Sequence, residues 1–82
     1  MIVQQTLRFK KSVKKLPRGQ KKHLDEVVRL LRENPEAGEA KVGDLADIRV
    51  YKFRLNKQLM LLGYSYNDNT ITLTLLALAS HE

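Results

Sequence analysis

The sequence contains no cysteine, no tryptophan, only two prolines and no long hydrophobic run. Without cysteine the chain has no disulfide, no thiolate nucleophile and no zinc-thiolate site, so its stability depends on one modest core or on a partner. The longest uncharged stretch, residues 69–80, is too short to span a bilayer. The first residues also lack the charged leader and apolar run of a signal peptide. We therefore expect a cytoplasmic protein that is not embedded in a membrane.

The chain has 82 residues, which is the size of one domain, and 43% of them are hydrophobic, which excludes a wholly disordered chain. Its net charge of +6 is unevenly distributed. Residues 1–22 carry eight basic side chains and no acidic one, residues 23–47 have a net charge of −4, and residues 48–82 have a net charge of +2. Clustered cations favour binding to a polyanion or to an acidic protein, and composition does not choose between these partners.

The first half of the chain predicts one strand and two helices. Residues 2–7 are short and partly β-branched, which is typical of a strand. Apolar residues then recur at helical spacing, interrupted by Pro17 and Gly19 and ended by Asn34-Pro35, which predicts a helical hairpin. The apolar residues of the first helix are Phe9, Val13 and Leu16, and those of the second are Leu24, Val27, Val28, Leu30 and Leu31. We expect residues 35–47 to form a connecting loop.

The second half has a period of two from Ile48 onward, which predicts three antiparallel strands. Asn56-Lys57 is a tight-turn sequence, and a two-residue turn pairs residues 51, 53 and 55 with residues 62, 60 and 58. A second turn over residues 67–70 pairs Tyr66 with Ile71, Tyr64 with Leu73 and Leu62 with Leu75. In this register Tyr51, Tyr64 and Tyr66 lie on the core face. We predict an α+β fold of order β-α-α-β-β-β over residues 1–82, with a helical hairpin packed on a curved antiparallel sheet.

The opposite sheet face carries Lys52 and Arg54 together with four leucines, and no predicted element remains to cover it. These leucines are Leu59, Leu61, Leu76 and Leu78. An apolar patch flanked by cations indicates a surface for a partner. The alternative is that the sheet curls strongly enough to bury both of its faces.

The sequence has no glycine-rich phosphate loop, no pair of closely spaced histidine ligands and no nucleophile elbow. The remaining candidates for chemistry are Lys52 and Arg54, with Arg49 at the start of their strand and His81 at the end of the chain. Cleavage of RNA requires stabilisation of charge on the phosphate and protonation of the leaving oxygen, which Lys, Arg and His side chains can supply. The alternative is that these residues have no catalytic role: Lys52 and Arg54 then form an ordinary solvated strand face, and His81 is a frayed residue next to the C-terminus. His23 is expected to face solvent or to cap its helix.

The strand Tyr51-Lys52-Phe53-Arg54-Leu55 resembles a strand of the RelE/ParE superfamily of bacterial type II toxin-antitoxin toxins. The element Lys14-Lys15-Leu16-Pro17 in the helical hairpin, the aliphatic strand ending in Gly63-Tyr64, and the closing segment from Leu75 to Glu82 extend the resemblance over nearly the whole chain. The family implies a ribosome-dependent mRNA endonuclease of the RelE type or a DNA gyrase inhibitor of the ParE type. It also implies a hetero-oligomer in which a cognate antitoxin neutralises the toxin. No metal or cofactor is implied.

Carried over from the family, Lys52, Arg54 and His81 match catalytic positions, and Leu61 stands where RelE-like enzymes have a phosphate-binding arginine. We expect further RNA contacts from a set of basic residues: Arg49, Lys57, Lys10, Lys11, Lys14 and Lys15. For the four lysines of the first helix, an ordinary solvated helix face is the equal alternative. Similar chains continue into a tail with an aromatic residue, whereas this sequence stops at Glu82. The resemblance therefore leaves open an active toxin and an attenuated or inactive one.

Overall fold

The computed structural model describes residues 1–41 and 47–81, which form a two-layer α+β fold. Strand β1 (Ile2–Gln5) leads into helices α1 (Leu7–Lys14) and α2 (Arg18–Glu33), followed by a 3-10 turn (Pro35–Ala37). The remaining strands are β2 (Glu39–Ala40), β3 (Ile48–Leu55), β4 (Gln58–Asn67) and β5 (Thr72–Ser80). Neither α1 nor α2 is long and apolar enough to cross a lipid bilayer. The predicted element order is confirmed, with β2 as an addition inside the predicted loop, of which residues 42–46 lie outside the described part.

The sheet order is β1-β5-β4-β3-β2, and both helices pack on one face. Strands β3, β4 and β5 pair antiparallel as predicted, and the additional strand β2 pairs antiparallel with β3. Strand β1 pairs in parallel with β5, so the sheet is mixed. Helices rather than a tight turn connect β1 to the other strands, so it is not forced to run antiparallel to its neighbour. The side chain of Thr6 fixes this junction because its hydroxyl donates to the carbonyl oxygen of Leu76 at 2.6 Å and accepts from the N–H of Phe9 at 3.1 Å.

Helix boundaries follow the local sequence. The side chain of Thr6 caps α1, whereas α2 begins directly after Pro17, which has an extended backbone and makes no side-chain cap hydrogen bond. Helix α1 ends at Lys14, so Leu16 of the predicted apolar stripe lies in the connection and still packs against the core. The core between the layers consists of eleven buried residues: Phe9, Leu24, Val27, Leu31, Leu55, Met60, Leu62, Tyr64, Leu73, Leu75 and Leu78.

The β3–β4 hairpin has the predicted register, with Asn56 in the left-handed region at φ 56°. The β4–β5 register differs from the prediction by two residues: Tyr66 pairs with Leu73, and Tyr64 pairs with Leu75. The turn has four residues, but it starts one residue later because the side chain of Asn67 accepts hydrogen bonds from the backbone N–H groups of residues 69 and 70. A register shift at Gly63/Tyr64 then moves Leu78 onto the core face.

The face of the sheet away from the helices is called the open face below. It carries Lys52 and Arg54, both exposed, and Leu59 and Leu61, both half-buried. Four leucines were predicted to lie on this face. The prediction for Leu78 was wrong, since this residue is buried in the core at 7% exposure. The predicted placement of all three tyrosines on the core face is confirmed.

Candidate functional site

Lys52 and Arg54 are exposed neighbours on the open face of β3. Two residues along a strand are roughly 7 Å apart and point to the same side, so both cations can reach one phosphate group or two adjacent ones. The Nη1 atom of Arg54 donates to the backbone carbonyl oxygen of Lys57 at 3.2 Å, which directs the guanidinium toward the β3–β4 turn. Because a guanidinium has five N–H donors, this single bond leaves donors for a ligand.

His81 lies in the same cross-strand row as Arg54. Its N–H donates to the carbonyl oxygen of Leu59 at 2.8 Å, and Leu59 is the register partner of Arg54. The row Arg54, Leu59, His81 therefore crosses three adjacent strand positions, and about 10 Å separates its two ends because neighbouring strands lie about 4.8 Å apart. The sequence analysis named both residues in one candidate set, and the sheet places both of them on one face.

An open depression of about 530 Å³ adjoins this row. It is lined by Gln20, Arg54, Leu55, Asn56, Lys57, Gln58, Leu59 and His81. Its cationic side chains are Arg54 and Lys57, and the lining contains no carboxylate among the described residues. The depression can therefore accept an anionic group with the imidazole of His81 beside it. The described residues contain no group of three or more His, Asp and Glu side chains placed to hold a metal ion.

Arg49 lies on the other face of β3, on the same side as the helices. It pairs with Tyr64 across the ladder, and its Nη1 atom donates to the carbonyl oxygens of Gly38 at 2.8 Å and Glu36 at 3.3 Å. The depression beside it, about 350 Å³, is also lined by three carboxylate side chains, those of Glu36, Asp47 and Asp68. The structure therefore does not bring Arg49 together with Lys52 and Arg54.

The position of Arg49 could have been read from the sequence. Its odd number places it on the face of Tyr51 and Phe53, which the hydrophobic pattern assigns to the core side, whereas Lys52 and Arg54 have even numbers. Arg49 instead supports the loop that also binds Tyr64, whose hydroxyl donates to the carbonyl oxygen of Pro35 at 2.6 Å. Burial raises the pKa of Tyr64, while the hydrogen bond from Gly38 and the nearby charge of Arg49 act in the opposite direction.

The four lysines of the predicted RNA surface, Lys10, Lys11, Lys14 and Lys15, are all exposed, and none of them forms an ion pair with the described residues. They belong to α1 or follow it directly, so they lie on the helical layer, on the opposite side of the sheet from Lys52. His23 is exposed as predicted, and its ring centroid lies 6.2 Å from that of Phe53. The molecule thus has two separate basic surfaces.

A helical hairpin on one face of a small sheet, with cations on the opposite face, defines a small α+β protein with an open basic sheet surface. The sequence matches a family model, the ParE-like toxin of type II bacterial toxin-antitoxin systems, over residues 3–82. The chain therefore belongs to this family, and the fold is that of the RelE/ParE toxins. A comparison with curated proteins gave no match.

Solved structures share the fold. A chain of the intact E. coli RelBE toxin-antitoxin complex is 20% identical, with 99% of this chain and 96% of that chain covered and a TM-score of 0.77. The YoeB/ParE toxin from Agrobacterium tumefaciens is 17% identical, with both chains covered completely and a TM-score of 0.77. A chain of the archaeal RelE-RelB complex from Pyrococcus horikoshii OT3 is 22% identical, with 96% and 92% covered and a TM-score of 0.69. At these identities the likeness supports the fold alone.

Proposed function

We propose that this type II toxin is a RelE-like, ribosome-dependent mRNA endonuclease of the cytoplasm whose active site is the open face of the sheet. The observation that carries the proposal is that Arg54 and His81 lie in one cross-strand row, with Lys52 beside them on the same face. Two cations and one imidazole are a sufficient set for cleavage of a phosphodiester next to a 2′-hydroxyl.

In the proposed reaction the 2′-hydroxyl gives its proton to a solvent water as its oxygen attacks phosphorus. The bond from phosphorus to the 5′-oxygen breaks, which leaves a 2′,3′-cyclic phosphate on one fragment and a 5′-hydroxyl on the other. Lys52 and Arg54 stabilise the negative charge that develops on the phosphate oxygens, and the planar guanidinium can bind two of those oxygens at once. His81 transfers a proton to the leaving 5′-oxygen. Lys57 lines the same depression and binds an adjacent phosphate.

The lysines of the helical layer take a different part in this proposal. Lys10, Lys11, Lys14 and Lys15 lie on the far side of the sheet from Lys52, so one short RNA segment cannot contact both surfaces. They bind ribosomal RNA phosphates and thereby orient the open face toward the message. Arg49, which contacts its own loop, is left as a supporting residue rather than an RNA contact.

The cognate antitoxin is proposed to cover the open face. Leu59 and Leu61 are half-buried there between exposed cations, so a segment with apolar and acidic residues is complementary to the surface in both hydrophobicity and charge. An antitoxin bound in this way excludes RNA from Lys52, Arg54 and His81. This arrangement explains neutralisation without a conformational change in the toxin.

The second candidate function is inhibition of DNA gyrase without nuclease chemistry. Two observations favour it: the matching family model is described as ParE-like, and the open face has Leu61 where RelE-like enzymes have a phosphate-binding arginine. A binding module needs no such arginine. The two candidates differ in target, so they can be separated directly.

The test is incubation of the purified chain with ribosomes programmed with a defined mRNA, followed by primer extension. Wild type should cleave the message in the ribosomal A site. The variants Lys52→Ala, Arg54→Ala and His81→Ala should each lower the rate about 100-fold or more. Arg32→Ala removes an exposed cation of α2 far from the open face and is the matched control, with a rate close to wild type. Intact mRNA together with gyrase-dependent DNA breaks would establish the second candidate instead.

A further inference from the structure

Strand β1 forms an outer edge of the sheet that has no charged side chain. Its one strand neighbour in the described part of the chain is β5, at the end of the order β1-β5-β4-β3-β2. Residues 1–7 contain no charged side chain, although the whole chain carries a net charge of +6. Natural edge strands are commonly protected from pairing by lysine, proline or a bulge, and β1 contains none of these.

Exposed apolar side chains concentrate along this edge. The described residues include five exposed large hydrophobic residues, and four of them are in β1 or next to it: Met1, Ile2, Leu7 and Ile71, which are 46, 56, 68 and 52% exposed. Ile71 adjoins the strand because its carbonyl oxygen accepts from the N–H of Ile2 at 2.9 Å. Ile71 also has a φ of 52°, a strained value for a β-branched residue. The fifth residue, Leu30, is on α2.

The backbone of β1 has hydrogen-bonding groups left for an additional strand. The N–H groups of Ile2 and Thr6 donate to the carbonyl oxygens of Ile71 and Leu75, so these residues face β5. Because backbone groups alternate along a strand, the N–H and carbonyl groups of Val3 and Gln5 point away from the sheet. An extended segment is therefore the kind of partner that this edge can bind.

We propose that two copies of this chain associate through antiparallel pairing of their β1 strands, which joins the two sheets into one. A two-fold axis at Gln4 places Val3 of one protomer opposite Gln5 of the other, so that all four outward-pointing groups of each strand segment are paired. The same register brings Ile2 of one protomer, 56% exposed in the single chain, opposite Thr6 of the other, whose backbone is still extended. Directly opposed residues also lie on the same face of the joined sheet, as pairing requires.

The distribution of charge favours a second copy of the chain as the partner at this edge. An acidic partner or a nucleic acid is attracted to the lysines of α1 or to Lys52 and Arg54, and residues 1–7 offer it no charged side chain. Two copies that each carry +6 repel one another through those same basic surfaces, and an edge without charged side chains is where they can approach at lower electrostatic cost. The open-face residues of β3 lie beyond β5 and β4 from this edge, so each protomer keeps its own site accessible.

The test is sedimentation equilibrium of the purified full chain over a concentration series. Wild type should reach a dimer, and raising the ionic strength should strengthen the association because it screens repulsion between the protomers. Ile2→Lys, which places a charge at an exposed edge position, should weaken dimerisation about tenfold or more, since the symmetry places two new charges in one interface. Leu30→Lys is the matched control, because it makes the same kind of change at the fifth exposed residue and should leave the dimer intact. Circular dichroism checks that each variant is folded.

Three outcomes would overturn the proposal. One is a wild-type chain that stays monomeric at all concentrations up to several hundred micromolar. The second is that Ile2→Lys and Leu30→Lys weaken dimerisation equally. The third is that dimerisation becomes weaker, rather than stronger, as the salt concentration rises. If the free chain is monomeric and Ile2→Lys instead blocks antitoxin binding, the edge belongs to the antitoxin. RNA cleavage and gyrase inhibition are not used in this experiment, so their failure leaves the dimer proposal untouched.

Discussion

The hydroxyl oxygen of Tyr64 accepts a hydrogen bond from the backbone N–H of Gly38 over 2.8 Å. The same hydroxyl donates to Pro35, and Arg49 donates to the carbonyl oxygen of Gly38, so both backbone polar groups of Gly38 are bonded to side chains. Tyr64 is completely buried, and Gly38 is also buried. This contact attaches the segment between α2 and β2 to the centre of the sheet, across 26 positions of sequence.

Substitution of Gly38 by alanine should destabilise the fold. A β-carbon at this position would lie 2.6 Å from the hydroxyl oxygen of Tyr64 and 2.7 Å from its Cε1 atom, and a completely buried ring has no room to withdraw. We expect Gly38→Ala to lower the free energy of unfolding by about 2 kcal/mol, measured by urea denaturation. The control is Gly19→Ala, where no heavy atom lies within 4 Å of the added carbon in the first turn of α2. That variant should be stabilised by about 0.5 to 1 kcal/mol, and equal effects at both glycines would contradict the prediction.

Tyr64 should make stability depend on pH in the alkaline range. Burial raises its pKa in the folded protein above the ordinary value of 10.0, so the unfolded chain loses the phenolic proton first. The stability that the neutral phenol of Tyr64 contributes to the folded protein is therefore fully present below pH 10. It is lost as the pH rises through the raised pKa of the folded state. Tyr64→Phe should be less stable at neutral pH by about 1 to 3 kcal/mol, and its stability should fall less steeply above pH 10. Tyr66→Phe serves as the control. If the free energy of unfolding falls with pH in parallel for wild type and Tyr64→Phe above pH 10, Tyr64 is not the source of the pH dependence.

Substitution of Arg49 should lower mainly the stability of the fold, whereas substitution of Lys52 should lower mainly the activity. The guanidinium of Arg49 makes two hydrogen bonds to the loop, so Arg49→Ala should cost about 1 to 2 kcal/mol of unfolding free energy. Lys52 is exposed, and Lys52→Ala should change stability by less than about 0.5 kcal/mol while lowering RNA cleavage. Thermal denaturation and the ribosome assay on the same two preparations measure both effects. A stability loss at Lys52 larger than at Arg49 would reverse these roles.

The sequence was most informative where one local pattern decided the structure. Alternation from Val50 to Leu55, followed by Asn56-Lys57, was enough to predict the β3–β4 register, because a two-residue turn and one apolar face permit a single alignment. From Tyr64 to the turn the β4–β5 alignment was wrong by two residues, since a shift of two keeps the side chains of that part on their predicted faces and leaves its hydrophobic pattern unchanged. The hydrogen bond from Thr6 to Leu76 spans 70 positions, and no local pattern encodes such a contact.

The candidate site was predictable as a set of residues but not as an arrangement. The period of two placed Lys52 and Arg54 on one face, whereas the position of His81 depends on where β5 ends relative to Leu59. That relation follows from the register shift at Gly63/Tyr64, which the alternation of threonine and leucine does not reveal. The same shift explains why Leu78 was assigned to the wrong face.

Leu61 gives the sharpest test of the proposed RNA site. It is the register partner of Lys52, lies on the open face, and is half-buried. Leu61→Arg would add a guanidinium beside Lys52, where it can bind the same phosphate group as its neighbour. If RNA binds there, cleavage should rise about tenfold or more, and the dependence of log affinity on log salt should steepen by about 0.7 for one added contact with single-stranded RNA.

The control for this substitution is Ser65→Arg, which adds the same charge on the same strand and face, four residues farther from the turn. Both variants raise the net charge equally, so a general electrostatic effect would strengthen RNA binding in both. An added cation directly opposite Lys52 also brings like charges together, so Leu61→Arg should be slightly less stable than wild type. Cleavage and salt dependence that change equally in the two variants would contradict a site at Lys52, because only Leu61 is the partner of that residue.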